Sequence, residues 1–292
     1  MKSRQLLIIM ILSFAGCQEK AGTINDVYLS EMESWKERRL EAVTGAEGWA
    51  TLIGLHWLSE GETTIGSDSS STIILPAEVL AYLGSFFVQG EQVIFSAADN
   101  SLITVGDSTI TTIHIDSNRN PVFEWKTFSW YIIKRSERLG LRIRNTGSPE
   151  VLNFKGLNYF PLDPEWIVKA RFELHEPPRT KIIQTVLDMT IEYPNPATLF
   201  FEYRGDEYSL EALDEGGDEY FLIFSDETSA VETYGAGRYM YISKSPVDGY
   251  LTLDFNKCYN PPCAFTPYAT CPIPPPENQL KISIKAGEKD YR

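Results

Sequence analysis

Histidine is scarce in this 292-residue chain, with three in all, and cysteine is nearly as rare, with four. His56, His114 and His175 lie far apart. Zinc held by several histidines is disfavoured, although one histidine could still serve as a base. Basic residues are short as well: 26 Lys and Arg stand against 40 Asp and Glu, a formal net charge of −14. Such a chain lacks the positive footprint that nucleic acid needs, and anionic headgroups repel it. The familiar catalytic signatures are missing too: there is no G-x-S-x-G elbow, H-E-x-x-H pair or Walker loop. Gly235-Ala236-Gly237 has no third glycine and no βαβ setting, which excludes a dinucleotide loop. The sequence therefore calls for no metal and no cofactor.

What is present begins at the N-terminus. Lys2 and Arg4 precede an apolar run from Leu6 to Leu12, followed by Ser13, Phe14, Ala15, Gly16 and Cys17. A basic start, a short apolar stretch and small residues form a removable export signal, too short for a membrane span. Ala15-Gly16-Cys17 resembles the bacterial lipobox, with Phe14 where leucine is commoner. On that resemblance residues 1–17 are a lipoprotein-type signal, and Cys17 becomes the lipid-modified first residue. A plain secretory signal with an incidental cysteine is the other reading. Both place the folded chain outside the cytoplasm. The lipoprotein reading puts it in the bacterial cell envelope, periplasmic or outer-membrane associated, held to the membrane by an N-terminal lipid anchor.

After the signal, residues 18–44 read as a linker and a helix. Asn25 or Asp26 caps it, and Leu29, Met32, Trp35, Leu40 and Val43 fall near helical spacing. Beyond Gly45 the pattern changes to short apolar or alternating runs. Candidate strands are Thr51–Leu55, Thr72–Leu75, Ser85–Val88, Gln92–Ser96, Ile110–Ile115, Phe128–Lys134 and Leu141–Arg144. They continue with Ile167–Leu174, Ile182–Ile191, Thr198–Tyr203, Tyr220–Phe224, Arg238–Ile242, Leu251–Asn256 and Lys281–Ile284. Turn signals every 8 to 12 residues or so favour sandwiches or barrels over βαβ units. The expected fold is mainly β: two packed antiparallel sandwich or barrel-like units, 45–149 and 150–292, with a short N-terminal helix. The turn cluster Gly147-Ser148-Pro149 marks the boundary. From Asp206 to Glu232 there are many carboxylates and no Lys or Arg, a pattern that suits a solvated acidic face.

The segment Leu251–Leu280 is the least ordinary in composition, with seven prolines and three of the four cysteines. Leu251, Leu253 and Phe255 alternate with Thr252, Asp254 and Asn256, so strand period two sends Asp254 and Asn256 out of one face. Asp254, Asn256, Asn260 and Glu277 could converge as oxygen ligands or as hydrogen-bonding groups for a polar ligand, or satisfy the backbone of a proline-rich turn. In an oxidising compartment Cys263 and Cys271 would pair, closing a short loop worth roughly 2–3 kcal/mol; Cys258 with Cys263 is the alternative pairing. A cysteine metal site lacks further ligands, and a nucleophilic cysteine lacks a visible base. Pro272–Pro276 reads as a stiff extended strap across aromatic side chains.

A second cluster joins Asp226 to Arg238. They could pair bidentately across a hairpin, or face a cleft together with Asp254 and Asn256. Tyr234, Tyr239, Tyr241, Tyr259 and Tyr268 would suit a carbohydrate platform, and core packing would use them equally well. His56, set among apolar residues, reads as a satisfied core histidine.

Four stretches together resemble a bacterial family known only as domain of unknown function 1684. They are Gly48–Leu58 (GWATLIGLHWL), Gly156–Pro161 (GLNYFP), Thr233–Tyr239 (TYGAGRY) and above all Leu253–Pro275. The resemblance implies a shared fold and an exported, often lipid-anchored setting. It brings no established activity, so no catalytic residue is carried over. A fainter likeness joins Thr64–Ser67 and Thr72–Leu75 to forkhead-associated sandwiches, whose phosphothreonine-binding Arg and Ser-x-x-His are absent here.

Two functional readings from different classes stand. One is an envelope β-protein that binds a polar ligand, glycan or partner, with Asn256, Tyr259, Asn260 and Tyr234 as binding candidates. The other is a hydrolase using Asp226, Asp254 or Glu277 with Arg238. A hydrolase needs at least two of those side chains together in one open pocket.

Overall fold

The computed structural model describes residues 24–116, 120–135 and 137–291; the signal and Cys17 lie outside them. The helix runs Asp26–Thr44, and the Asn25 side chain caps it by accepting from the Tyr28 N–H at 2.9 Å. It buries Met32 and Val43.

Among the described residues the strands form four sheets, nearly all antiparallel, and none closes into a barrel. In the N-terminal part, a five-stranded sheet centred on Gly84–Gln89 and Gln92–Ala97 faces a six-stranded sheet. The latter is built on the hairpin Phe128–Arg135/Arg138–Asn145. Alternation explains the packing: Phe86, Phe95, Phe123, Trp130, Leu141 and Ile143 point into one shared core. Phe123 and Trp130 stack at 5.9 Å inside it. His56, on the edge strand Leu52–Trp57, is half-buried, and burial pulls its imidazole below the usual histidine range.

The C-terminal part is a four-stranded sheet whose long strands are Ile167–Gln184 and Thr190–Tyr203. A separate hairpin, Glu219–Phe224/Arg238–Ser243, packs against it. The hairpin is apolar on both faces. Leu222, Phe224, Met240 and Ile242 enter the sheet's core, while Phe221, Ile223 and Tyr239 join a smaller cluster behind it. The tail completes both: Leu251, Leu253, Phe255, Leu280, Ile282 and Ile284 bury in the first cluster, and Cys263, Ala269 and Cys271 in the second.

Three local expectations are corrected. The middle of Ile182–Ile191 is a turn at Thr185–Met189, the tip of the long hairpin. Lys281–Ile284 is buried in alternation but pairs with no strand. Asp206–Ala212 lies inside the acidic stretch yet forms an edge strand against Ala197–Tyr203, because Leu210 and Ala212 supply its apolar face. Pro275, at φ −66° and ψ 158°, has the extended geometry expected of the strap, which then closes into a short turn at Pro276–Asn278.

Candidate functional site

The structure separates the carboxylates proposed for hydrolysis. Arg238 pairs with Asp226 at side-chain exposures of 1% and 0%. The contact is made by one arginine nitrogen to one carboxylate oxygen, so the expected bidentate pairing is corrected to a single bridge. The reason is that Arg238 has other acceptors, the carbonyls of Ile284, at 2.9 Å, and Ala286. The second oxygen of Asp226 is occupied by the N–H and hydroxyl of Thr228. Glu277 stands half-exposed beside Lys181 at 3.1 Å. Asp226, Arg238 and Glu277 therefore share no open pocket with Asp254.

Asp254 and Asn256 do lie together, the Asn256 side-chain amide donating to the Asp254 carboxylate at 3.1 Å, but they do not leave one strand face for solvent, because Asn256 is buried. The strand stops at Asp254, whose carboxylate caps the short turn Phe255–Lys257 by accepting from the Asn256 N–H at 3.2 Å. Asn256 turns inward and exchanges hydrogen bonds with the backbone of Asp163 at 3.0 and 3.1 Å. Asn260 donates to the Lys289 carbonyl at 2.7 Å, and the Tyr234 hydroxyl donates to the Cys263 carbonyl at 3.1 Å. Cys263 and Cys271 are buried neighbours, linked by the Cys263 N–H donating to Cys271 Sγ at 3.1 Å; they are not bonded through sulfur. Burial pushes the Cys258 thiol up, which leaves it inert as a nucleophile.

Asp254, Asn260 and the platform candidates Tyr239, Tyr241 and Tyr259 do reach an open space, which Asp226, Arg238, Glu277, Asn256 and Tyr234 do not line. A cleft of about 1050 Å³ lies where the helix, the six-stranded sheet, the separate hairpin and the tail meet. Its aromatic wall follows from strand alternation and tail pairing. Tyr193 meets Phe221 at 6.3 Å, Phe221 stacks on Tyr241 at 4.9 Å, and Tyr241 stacks on Tyr259 at 6.4 Å. The tail holds Tyr259 against Tyr239 by a two-way backbone bridge at 2.9 Å. The Tyr241 hydroxyl donates to Glu215 at 2.5 Å. Burial, helped by Glu215, pushes the Tyr193 phenol up to about 12.

At one side the helix supplies polar groups that are already engaged. Arg39 lies 4.3 Å over Tyr259 and bridges to the fully buried Glu288 at 2.8 Å. The Tyr28 hydroxyl donates to Asp254 at 3.1 Å. Burial holds the Asp254 carboxyl above the usual carboxylate range, against the pull of Lys257.

At the other side stand arginines that the sequence reading passed over. Arg142 and Arg144 occupy the face of strand Arg138–Asn145 opposite the sandwich core. Arg144 is satisfied by the Gly48 carbonyl at 2.5 Å, Thr51 at 3.1 Å and the Tyr131 hydroxyl at 3.2 Å. Arg142 is only 5% exposed. Its one hydrogen bond runs to the Thr270 hydroxyl at 3.3 Å, and its buried Nε has no partner. Arg135 donates to the same hydroxyl at 3.3 Å. Trp49 lies 5.4 Å beneath Arg142. A cation–π contact recovers about 0.5–2 kcal/mol, less than the several kcal/mol that burying a guanidinium costs. One signal was available: alternation within Leu141–Arg144 puts Arg142 and Arg144 on a single face, opposite Leu141 and Ile143.

Fold and cleft define a mainly β protein with an aromatic- and arginine-lined cleft. The chain belongs to the family described as protein of unknown function (DUF1684), whose model matches residues 152–289. An uncharacterized protein of Haloarcula marismortui, solved by solution NMR, is 35% identical with a TM-score of 0.41, over 49% of this chain and 80% of that one. The FHA domain of FhaA, solved in complex, is 14% identical at a TM-score of 0.22, over 31% of this chain and 97% of its own. No curated protein matches the chain.

Proposed function

We propose that the chain is an exported, lipid-anchored β-protein that binds a small polar ligand, a glycan or related molecule, in the aromatic cleft. The observation that carries this reading is the cleft itself. Stacked rings of Phe221, Tyr241 and Tyr259 form a platform, and polar groups from helix and tail rim it. Concave sites with apolar walls and a few placed polar groups are the usual form of small-molecule sites. Export rests on the run from Lys2 to Cys17. It would also put Cys263 and Cys271, already neighbours, where disulfides form.

Saturation-transfer NMR with a panel of mono- and oligosaccharides tests the binding. Ring protons of a bound sugar should receive saturation, and Tyr241→Ala should weaken that signal at least fivefold. A panel with no saturated member, or one indifferent to Tyr241→Ala, would remove the cleft reading. For the anchor, Cys17→Ser should move the protein from the membrane fraction to the soluble one; unchanged fractionation would overturn it.

A further inference from the structure

The arginine side of the cleft is a built site for an anion. Arg142 is 5% exposed and lines the cleft with its Nε unpartnered. Arg135 shares with it the Thr270 hydroxyl, at 3.3 Å from each. Among the described residues no carboxylate oxygen lies within 4.0 Å of either guanidinium. The absence is notable because the chain carries 40 carboxylate side chains; of its other buried arginines, Arg238 is paired with Asp226, and Arg144 is met by the Gly48 carbonyl and the hydroxyls of Thr51 and Tyr131. The carboxylates that do line the cleft have other partners: Glu215 takes the Tyr241 hydroxyl, and Asp254 takes Tyr28 and Lys257.

A guanidinium cannot shed its charge by deprotonating, so a buried one needs a counter-charge or a set of acceptors such as Arg144 has, and Arg142 has neither. Two forks converging on one hydroxyl match the geometry of an oxyanion, which accepts parallel N–H donors. We propose that Arg135, Arg142 and Thr270 form an oxyanion subsite that holds the carboxylate or phosphate of an acidic ligand, whose remainder extends along the rings of Tyr193 and Phe221. This rests on the cleft being a ligand site, and it narrows the ligand class from polar to acidic.

Isothermal titration calorimetry of the full chain at 150 mM NaCl tests it with three probes: inorganic phosphate, glucuronate and glucose. Phosphate or glucuronate should bind at least tenfold more tightly than glucose, and Arg142→Met should abolish that preference. The tighter of the two anions identifies the source as a phosphate ester or an acidic sugar. Glucose binding equal to glucuronate, and unchanged in Arg142→Met, would overturn the subsite while leaving the cleft reading intact. Binding of no probe would overturn both. Anion binding that survives Arg142→Met and Arg135→Met alike would place the site elsewhere and sink the proposal. Should Arg142→Met fail to fold, the wild-type chain still decides. Its arginine Nε–Hε resonances should include one that shifts on phosphate titration, and a set that stays fixed would refute the subsite.

Discussion

Two buried arginines in this chain are treated in opposite ways. Arg238 is walled in, its two terminal nitrogens engaged by Asp226 and two carbonyls. Arg142 is buried too, yet its one hydrogen bond runs to a threonine hydroxyl, and among the described residues its only other partner is the ring of Trp49. The first arrangement spends the charge on tying the hairpin to the tail, since the Ile284 and Ala286 carbonyls belong to the C-terminal segment. The second leaves the charge facing a cleft. A closed pair is a structural device, and an unanswered buried cation is a binding device. That difference moves attention from the carboxylates of the tail to the arginines of the sandwich.

Breaking the closed pair should have the largest effect. Asp226→Ala leaves Arg238 charged and sealed, so unfolding free energy should fall by about 3–5 kcal/mol. Urea denaturation monitored by tryptophan fluorescence measures it; a loss below about 1 kcal/mol would mean that Arg238 finds water or another partner. The preceding residue supports the same pair. Gly237 has φ 88°, and a Cβ there would sit 2.5 Å from the Phe224 carbonyl oxygen and 2.6 Å from Pro274. Gly237→Ala should therefore cost about 1–3 kcal/mol from the backbone alone, again by urea denaturation. A neutral result would show that the strap around Pro274 yields.

The open arginine should behave in the reverse sense. Arg142→Met removes a charge that no carboxylate among the described residues answers. Unfolding free energy should stay within about 1 kcal/mol of wild type or rise, because an apolar side chain of similar length suits a buried position better than an unpaired ion. A loss approaching that of Asp226→Ala would mean that Arg142 is structural after all, and the contrast between the two arginines would collapse.

How far the sequence revealed these sites follows from what periodicity encodes. Alternation assigns side chains to two faces of a strand, and it did so correctly for Leu141 and Ile143 against Arg142 and Arg144. It is silent on what covers each face. Here Trp49, Thr51 and Thr270 cover the polar face. The Asn25 cap was legible because an Asn side chain before an apolar-periodic run has one local job. Asp226 and Arg238 were legible as neighbours across a hairpin, but not their burial, which is supplied by the tail from Ile284 to Ala286. The strand Asp206–Ala212 was hidden by its acidic edge face. The cleft itself was illegible: it is assembled from helix, sheet, hairpin and tail, and no local pattern reports a space between distant segments.

The smallest effect concerns the carboxylate that does reach the cleft. Burial raises the Asp254 carboxyl above its ordinary value, and Lys257, Asn256 and Tyr28 only partly offset this. The folded chain thus holds that proton more tightly than the unfolded chain does. The resulting stabilisation is complete below the ordinary aspartate pKa of about 3.9 and is lost as pH rises through the raised value. Asp254→Asn cannot ionise, and its side-chain oxygen can still accept from the Asn256 N–H. The variant should therefore gain stability relative to wild type as pH is raised from about 4 to 7, by urea denaturation at each pH. Parallel pH profiles for wild type and Asp254→Asn would show that the Tyr28 and Lys257 contacts fully compensate for burial, and that this side of the cleft is electrostatically closed.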